Sequence, residues 1–549
     1  MSVEQTSMNQ LITDNIDVWT STIKAKSASG RGSSKKRELY GVKKLRELIL
    51  ELAVRGKLVP QDPTDEPASI LLERISAEKA QLVKDKKIKK QKSFGEVRDD
   101  EALFELPLGW QWTRLSELSE IGPRNSDVED ESEASFVPMP MISTSYKGEH
   151  GSEVRSWKDI KKGYTHFRDG DIALAKITPC FENSKAAVFS DLKNGVGTGT
   201  TELHVARPIS GALEPLFVLL YLKAPMFLKV GETQMTGSAG QKRVPKDFFA
   251  GNPLPYPPLK EQKRIVAKVD ELMTLCDQLE QQTEASIEAH QVLVTTLLDT
   301  LTNSADAEEL MQNWARISEH FDTLFTTEAS IDQLKQTILQ LAVMGKLVPF
   351  GKTKETSLKS ILTFGPRNGF SPKEVPSETN LKVLKLGATS YGELDVEQSK
   401  FIDVDVSDKP HLYLKEGDIL IQRGNSANFV GSNVLILESY NNIIYPDLMM
   451  KLRVNEEVLP EYASLVLSAK SSREHMWNLM TGTSGTMPKI SKKVVEGVPV
   501  AFPVDLACQK RVIEKYKEQI NICNQLKACL KESQITQLHL TDAMVEQVV

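Results

Sequence analysis

The chain has few of the residues that would tie it to an oxidising compartment, a membrane or a metal. Its 549 residues include five cysteines, an odd number with no CxxC pair among them. That excludes a disulfide framework and a zinc site of familiar cysteine spacing. No apolar run approaches the ~20 residues needed to span a bilayer, and the opening MSVEQTSMNQLITDN lacks a signal-peptide pattern. A cytoplasmic location with no membrane contact is therefore expected. Positive charge is not in excess either: 68 Lys and Arg stand against 74 Asp and Glu, for a net charge of −6. Composition alone does not point to a polyanionic partner.

Catalytic signatures are missing too. In GKLVPFGKT, Gly345 and Gly351 are separated by five residues where a phosphate-binding loop needs four, and an apolar helix precedes them where a strand should stand. The NPLPY at Asn252–Tyr256 departs from the N-P-P-[FY] loop of adenine methyltransferases and reads as a rigid connector. There is no HExxH or paired metal-ligand motif. The expectation is a binding protein without catalysis, holding no cofactor and no metal of its own.

What is present is repetition. LAVRGKLVP (Leu52–Pro60) returns as LAVMGKLVP (Leu341–Pro349), 289 residues on. FRDGDIAL at Phe167–Leu174 is echoed by LKEGDILI at Leu414–Ile421, and QKRI at Gln262–Ile265 by QKRV at Gln509–Val512, both 247 residues apart. GPRN recurs at Gly122–Asn125 and Gly365–Asn368, and TGSAGQKRV (Thr236–Val244) returns as TGTSGTMPK (Thr481–Lys489). Several echoes in one order at nearly one offset describe two copies of a single unit. Each copy has a helix ended by GKLVP, a mixed domain and a long helix. The glycine suits the left-handed position just past a helix, with proline beyond it.

The first copy carries about 42 extra residues after GKLVP (289 against 247). They read as a helix opening near Pro67 and closing in the basic run Lys84–Lys92. That run is expected to be a solvated helix end or linker in preference to a phosphate contact.

Each long helix has a 4-3 apolar spacing: Ile265, Val269, Leu272, Cys276 and Leu279 in the first, and Val512, Tyr516, Cys523, Leu526 and Leu530 in the second. This is coiled-coil spacing. If the seams pair, connectivity requires an antiparallel pair with a pseudo-twofold axis. Cys276 and Cys523 read as small seam residues and His290 as a packing residue.

The mixed domains are strand-rich, with exposed loops expected at Gly195–Gly199 and Gly482–Gly485. Residue types that read base edges and phosphates gather in their loops. The candidates in the first copy are Arg124, Asn125, Lys176, Thr198, Thr200, Gln241, Lys242 and Arg243. Those in the second are Arg367, Asn368, Arg423, Asn425, Ser426, Thr486 and Lys489. Neither mixed domain has more basic than acidic residues, so its cations must be segregated onto one face.

Three segments carry a resemblance: KLRELILELAVRGKLVPQDPTDEPASILLERI (Lys44–Ile75), ELPLGWQWTRLSEL (Glu105–Leu118) and YPPLKEQKRIVAKVDELM (Tyr256–Met273). With the GD-I and T-G-x-x-G motifs and the repeat, the chain resembles the specificity subunit of type I restriction–modification systems along nearly its whole length. Two departures are Cys508 in place of Glu261 and the lack of a GW-x-W opening to the second mixed domain.

The resemblance implies an α+β architecture of two target recognition domains joined by two long helices forming an antiparallel coiled coil. The expected boundaries are an N-terminal helical region at 1–105, a recognition domain at 106–260 and a spacer helix at 261–302. A central helical region at 303–359, a second recognition domain at 360–506 and a C-terminal spacer helix at 507–549 complete the chain. The partners implied are double-stranded DNA, two methyltransferase subunits, and restriction/translocase subunits. S-adenosylmethionine, ATP and Mg2+ would be used by those partners. A coiled-coil protein-binding scaffold and a split-site subunit of a fused methyltransferase–nuclease system are the alternatives.

Overall fold

A computed structural model describes residues 8–25, 37–209, 211–238, 240–482 and 487–548. The chain divides into two compact units. The first reaches Glu284 and takes back the residues from Thr536 onward, and the second runs from Ala285 to Ile535. Among the described residues no helix is long and apolar enough to cross a membrane.

Helix α1 (Tyr40–Val54) buries Val42, Leu45, Ile49 and Leu52 on one stripe. It ends as a Schellman turn, with the Lys57 amide donating to the Leu52 carbonyl at 3.0 Å and Gly56 at φ +69°. A Cβ on Gly56 would lie 2.5 Å from Pro107 and 2.9 Å from the Trp110 ring. The second GKLVP does the same for its own helix (Glu328–Val343, below): the Lys346 amide donates to Leu341 at 2.9 Å, and Gly345 sits at φ +72°. The repeated segment is thus a helix terminator. A further helix, α2 (Ala68–Lys84), is present in the first copy alone.

The first mixed domain has eight principal strands: β1 (Ser119–Ile121), β2 (Glu133–Val137), β3 (Glu153–Ser156), β4 (Thr165–Arg168), β5 (Ile172–Ala175), β6 (Ala186–Val188), β7 (Val196–Gly199) and β8 (Leu203–Pro208). They form one sheet in the order β1-β8-β5-β6 and another in the order β3-β2-β7-β4. The IALA of β5 is buried at every residue, as a central strand covered on both faces must be.

GVGTG was expected to be an exposed loop. It forms the interior strand β7, because a Cβ on Gly197 would fall 2.6 Å from the Phe167 ring and 2.8 Å from the Ser135 carbonyl oxygen. Its second-copy counterpart in that expectation, at Gly482–Gly485, lies for the most part outside the described residues.

After this domain comes α3 (Leu259–Asn303), then α4 (Ala307–Glu319) and α5 (Glu328–Val343). The second mixed domain contributes β9 (Leu362–Asn368), β10 (Leu381–Leu384), β11 (Ser399–Ile402), β12 (Tyr413–Leu414), β13 (Ile419–Gln422), β14 (Asn433–Leu435), β15 (Tyr440–Ile444) and β16 (Met449–Val454). Its sheets run β9-β16-β13-β14 and β11-β10-β15-β12. Adding eight to each strand number of the first domain reproduces both orders, including the single parallel pairing in each (β2/β7 and β10/β15). The sequence repeat is a repeat of topology. Helix α6 (Leu506–Val548) closes the chain.

The long helices bury part of the expected seam, Val512 and Cys523 of α6 among it, and depart from it further along α3. Ile265, Val269, Leu272 and Cys276 are buried in α3, and then Val294, Leu298 and Leu301, while Leu293 is 50% exposed. From Cys276 to Val294 is a whole number of 3.6-residue turns, so one face of a straight helix stays inward where a 3.5-residue period would drift. In the second unit Val294, Leu298 and Leu301 share a core with Ile331, Leu334 and Ile338 of α5 and Cys523 of α6. Ile317 of α4 joins it, so that core draws on four of the helices named here where a two-helix seam was expected. His290 bonds the Thr323 carbonyl oxygen at 3.1 Å through Nε2.

Candidate nucleic-acid interface

In each mixed domain the first sheet brings two strand ends to the start of a third. β1 and β5 both run antiparallel to β8, so Arg124 and Lys176 leave the sheet at the same end. β9 and β13 stand likewise to β16, which places Arg367 and Arg423 at the corresponding end.

At that end the T-G-x-x-G segment folds back as a hairpin. The amides of Thr236 and Arg243 donate to each other's carbonyls at 3.0 and 2.8 Å, and Thr178 donates to Lys242 at 3.0 Å. In the second domain Thr481 and Lys489 exchange the same pair of bonds at 2.8 Å, and the Ile490 amide donates to Arg423 at 2.9 Å. The structure thereby joins Lys176 to Gln241, Lys242 and Arg243, and Arg423 to Lys489. Arg243 is held by Glu202 through two bonds of 2.9 Å, a planar fork on a carboxylate. Thr200 lies beside it, its hydroxyl accepting from the Glu202 amide at 3.2 Å.

Asn425 donates to the Gln422 side chain at 2.7 Å and accepts from the Ser426 amide at 2.7 Å, so it shapes the turn after β13. Ser426, Arg367 and Lys489 are exposed and Asn368 is half-buried. Thr486 lies outside the described residues.

Two candidates do not belong to an exposed face. Asn125 is buried, donating to the Phe167 carbonyl at 2.9 Å and accepting from Arg168 at 3.1 Å and Arg207 at 3.0 Å. Thr198 is fully buried in β7. The reason is tertiary: the strand that looked like a glycine loop is interior, and the asparagine is enclosed by the arginines around it.

Sequence reasoning missed what the GD-I aspartates do. Asp171 and Asp418 are buried at 1% and 0% exposure. Arg207 donates to both oxygens of Asp171, Nε to Oδ1 at 2.9 Å and Nη2 to Oδ2 at 2.7 Å, and the Arg168 amide adds a bond at 2.7 Å. Burial pushes the Asp171 carboxyl up and Arg207 opposes that shift. Asp418 is held by Arg453, by Lys451 at 3.1 Å and by the Lys415 amide at 2.8 Å. The matching order of Asp, Arg and GD-I in the two copies was the available signal.

Among the described residues no group of His, Cys, Asp and Glu could hold a metal ion. The cysteines are free, and burial pushes the Cys276 thiol up to about 11, away from reactivity.

Duplicated sheets with paired cationic ends define a two-part binding protein. A model for the type I restriction modification DNA specificity domain matches residues 107–289. The chain is 46% identical to the EcoEI type I restriction enzyme specificity subunit of Escherichia coli, over 98% of this chain and 99% of that one. It is 48% identical to the EcoAI specificity subunit of Escherichia coli, over 99% and 100% of the two chains. The chain belongs to the type I restriction enzyme specificity subunits, and its function is DNA recognition. A solved chain from work on complex assembly and conformational transition of the type I R-M system has a TM-score of 0.50 at 17% identity, covering 81% of this chain and 98% of its own, which extends the likeness in fold.

Proposed function

We infer that the chain reads a split, asymmetric DNA site, one half with residues 106–260 and the other with residues 360–506. The reading is carried by the duplicated sheet end, where Lys176 and Arg243 in one domain correspond to Arg423 and Lys489 in the other. Arg124, Gln241, Lys242, Arg243, Arg367, Ser426 and Lys489 are the exposed members of the contact set. Lysine and arginine at a sheet end supply phosphate contacts and the forked donors that read guanine.

On this reading α3 and α6 are an antiparallel spacer with pseudo-twofold symmetry that sets the gap between the halves. The chain docks two methyltransferase subunits and recruits restriction/translocase subunits in the cytoplasm. It does no chemistry itself; S-adenosylmethionine, ATP and Mg2+ act in the partners. The relatives' shared name as specificity subunits supports the division of labour.

The test is a swap of residues 114–255 for the matching segment of a relative, with genome-wide mapping of methylated adenines as the readout. One half of the methylated motif should change and the other stay. Both halves changing together would sink the two-reader account.

A further inference from the structure

The extra segment of the first copy, read as a solvated helix end or linker, is exposed at Lys86, Lys87, Lys89 and Lys90 and is also tethered to the first mixed domain. The Gln91 side chain is paired with the edge strand β1, donating to the Ile121 carbonyl at 3.0 Å and accepting from the Ile121 amide at 3.1 Å. Lys92 is paired with Asp247 at 2.5 Å. Just beyond, Arg114 donates to the carbonyls of Gly95 at 3.0 Å and Glu96 at 3.2 Å, and Phe94 packs where a Cβ on Gly251 would be 2.6 Å away. Before the run, Lys79 donates to the Ser116 carbonyl. The basic run is therefore anchored to the first recognition domain before, within and after its length.

Between the run and the domain lies a cleft of about 680 Å3. Seven cationic side chains line it against two carboxylates, Glu120 and Asp247, the second already paired with Lys92. Among the described residues Lys86, Lys87, Lys89, Lys90 and Lys246 have no carboxylate in ion-pair range. The Lys246 ammonium lies over Gly122, 3.4 Å from where a Cβ would stand. Arg124 lines the same cleft and also leaves the sheet beside Lys176, so the cleft is continuous with the reading end. Five exposed cations gathered along one wall without carboxylate partners create a positive potential that favours an anionic partner. Regularly spaced charge is what a duplex backbone supplies.

We propose that Lys86–Lys90, with Arg124 and Lys246, grip backbone phosphates beside the half-site read by residues 106–260. The second recognition domain has no equivalent, because the run belongs to the residues only the first copy carries. The grip makes DNA contact unequal between the two halves and independent of base sequence. This inference rests on the DNA-reading function proposed above.

The test uses the full chain assembled with its methyltransferase partners and a duplex containing the mapped site, with Kd measured across a salt series. Replacing Lys86, Lys87, Lys89 and Lys90 by Gln should make the plot of log K against log salt shallower by about two to four, at ~0.9 per phosphate lost. Affinity at physiological salt should fall by about tenfold or more, with the methylated sequence unchanged. Arginine at the same four positions should keep the wild-type slope, which separates charge from folding. Phosphate-ethylation interference should lose contacts beside the first half-site only.

An unchanged slope in the Gln variant overturns the proposal. So does loss of methyltransferase assembly with an unchanged slope, which would assign the cleft to an acidic protein. A wild-type complex indifferent to DNA sequence would instead sink the DNA-reading function, and this inference with it.

Discussion

Asp171, just ahead of β5, and Arg207 on β8 form a two-pronged ion pair of 2.9 and 2.7 Å, and in the second domain Arg453 pairs with Asp418 through Oδ1 alone, with Lys451 on Oδ2 at 3.1 Å. The carboxylates are buried while the arginines reach toward solvent, with side-chain exposures of 23% and 39%. Each pair ties the entry of a central strand to its neighbour.

Removing one partner leaves the other uncompensated. Asp171→Ala should therefore lower stability by about 2–4 kcal/mol, toward the lower end because Arg207 can still reach water. Denaturant unfolding of Asp171→Ala, Arg207→Leu and the double variant checks this. The double variant should cost well below the sum of the singles; strict additivity would show that the two side chains are not coupled.

Asn125 and Lys176 should separate in the same way that their burial does. Asn125→Ala removes an acceptor shared by Arg168 and Arg207, so it should cost stability and leave the methylated sequence unchanged. Lys176→Ala should leave stability within about 0.5 kcal/mol. It should weaken binding through the first half-site, lowering the salt slope by about 1 for a phosphate contact or relaxing one base for a base contact. Arg423→Ala should do the same for the second half-site only. Binding to half-site-substituted duplexes distinguishes these outcomes, and an effect of Lys176→Ala on the second half would contradict the assignment.

The contrast between these residues shows what the sequence could convey. The repeated unit and its helix stop were legible because they are local: glycine past a helix end forms the same turn in both copies. The mixed α/β character and the long helices came from periodicity. GVGTG was misread because glycine usually marks a loop, and only the Phe167 ring, brought in by another strand, explains it there. Asp171 meets an arginine 36 residues downstream, a partner no local pattern names. The tether of the basic run was not legible because its anchors, Ile121 and Asp247, lie 30 and 155 residues away along the chain. The first half of α3 buries the heptad positions expected, Ile265 to Cys276, and past them the stripe moves to Val294, Leu298 and Leu301 because α4, α5 and α6 pack there.

Acid should act through His204. Its ring lies 5.4 Å from Phe249 at 20°, and Nε2 donates to the Val244 carbonyl at 2.9 Å, next to Arg243. Burial holds its pKa down at about 4. The unfolded chain takes up a proton below about 6.5 and the folded one does not, so stability falls as pH drops from 6.5 towards 4, by up to about 3 kcal/mol from this residue. Burial shifts His150 and His166 in the same direction. His204→Gln should reduce the acid-side loss measured by thermal unfolding at a series of pH values. An identical pH profile would mean that His204 is not neutral in the fold.

The spacer role proposed for α3 and α6 makes the sharpest demand on geometry. Residues 281–289 of α3 and 531–540 of α6 contain no buried position, so each can accept added turns without opening a core. Seven residues added to each helix lengthen it by about 10 Å. They rotate the downstream half of the helix by only ~20°, so Val294, Leu298 and Leu301 still face α5. At ~3.4 Å per base pair the preferred gap between half-sites should grow by about three base pairs while both half-site sequences stay the same. Five residues added at the same places turn the downstream half by ~140° and point that stripe away from its core, so this variant should lose stability and site-specific binding together. Mapping methylated adenines for the seven-residue variant decides the matter: an unchanged gap would assign the spacing to some other part of the complex.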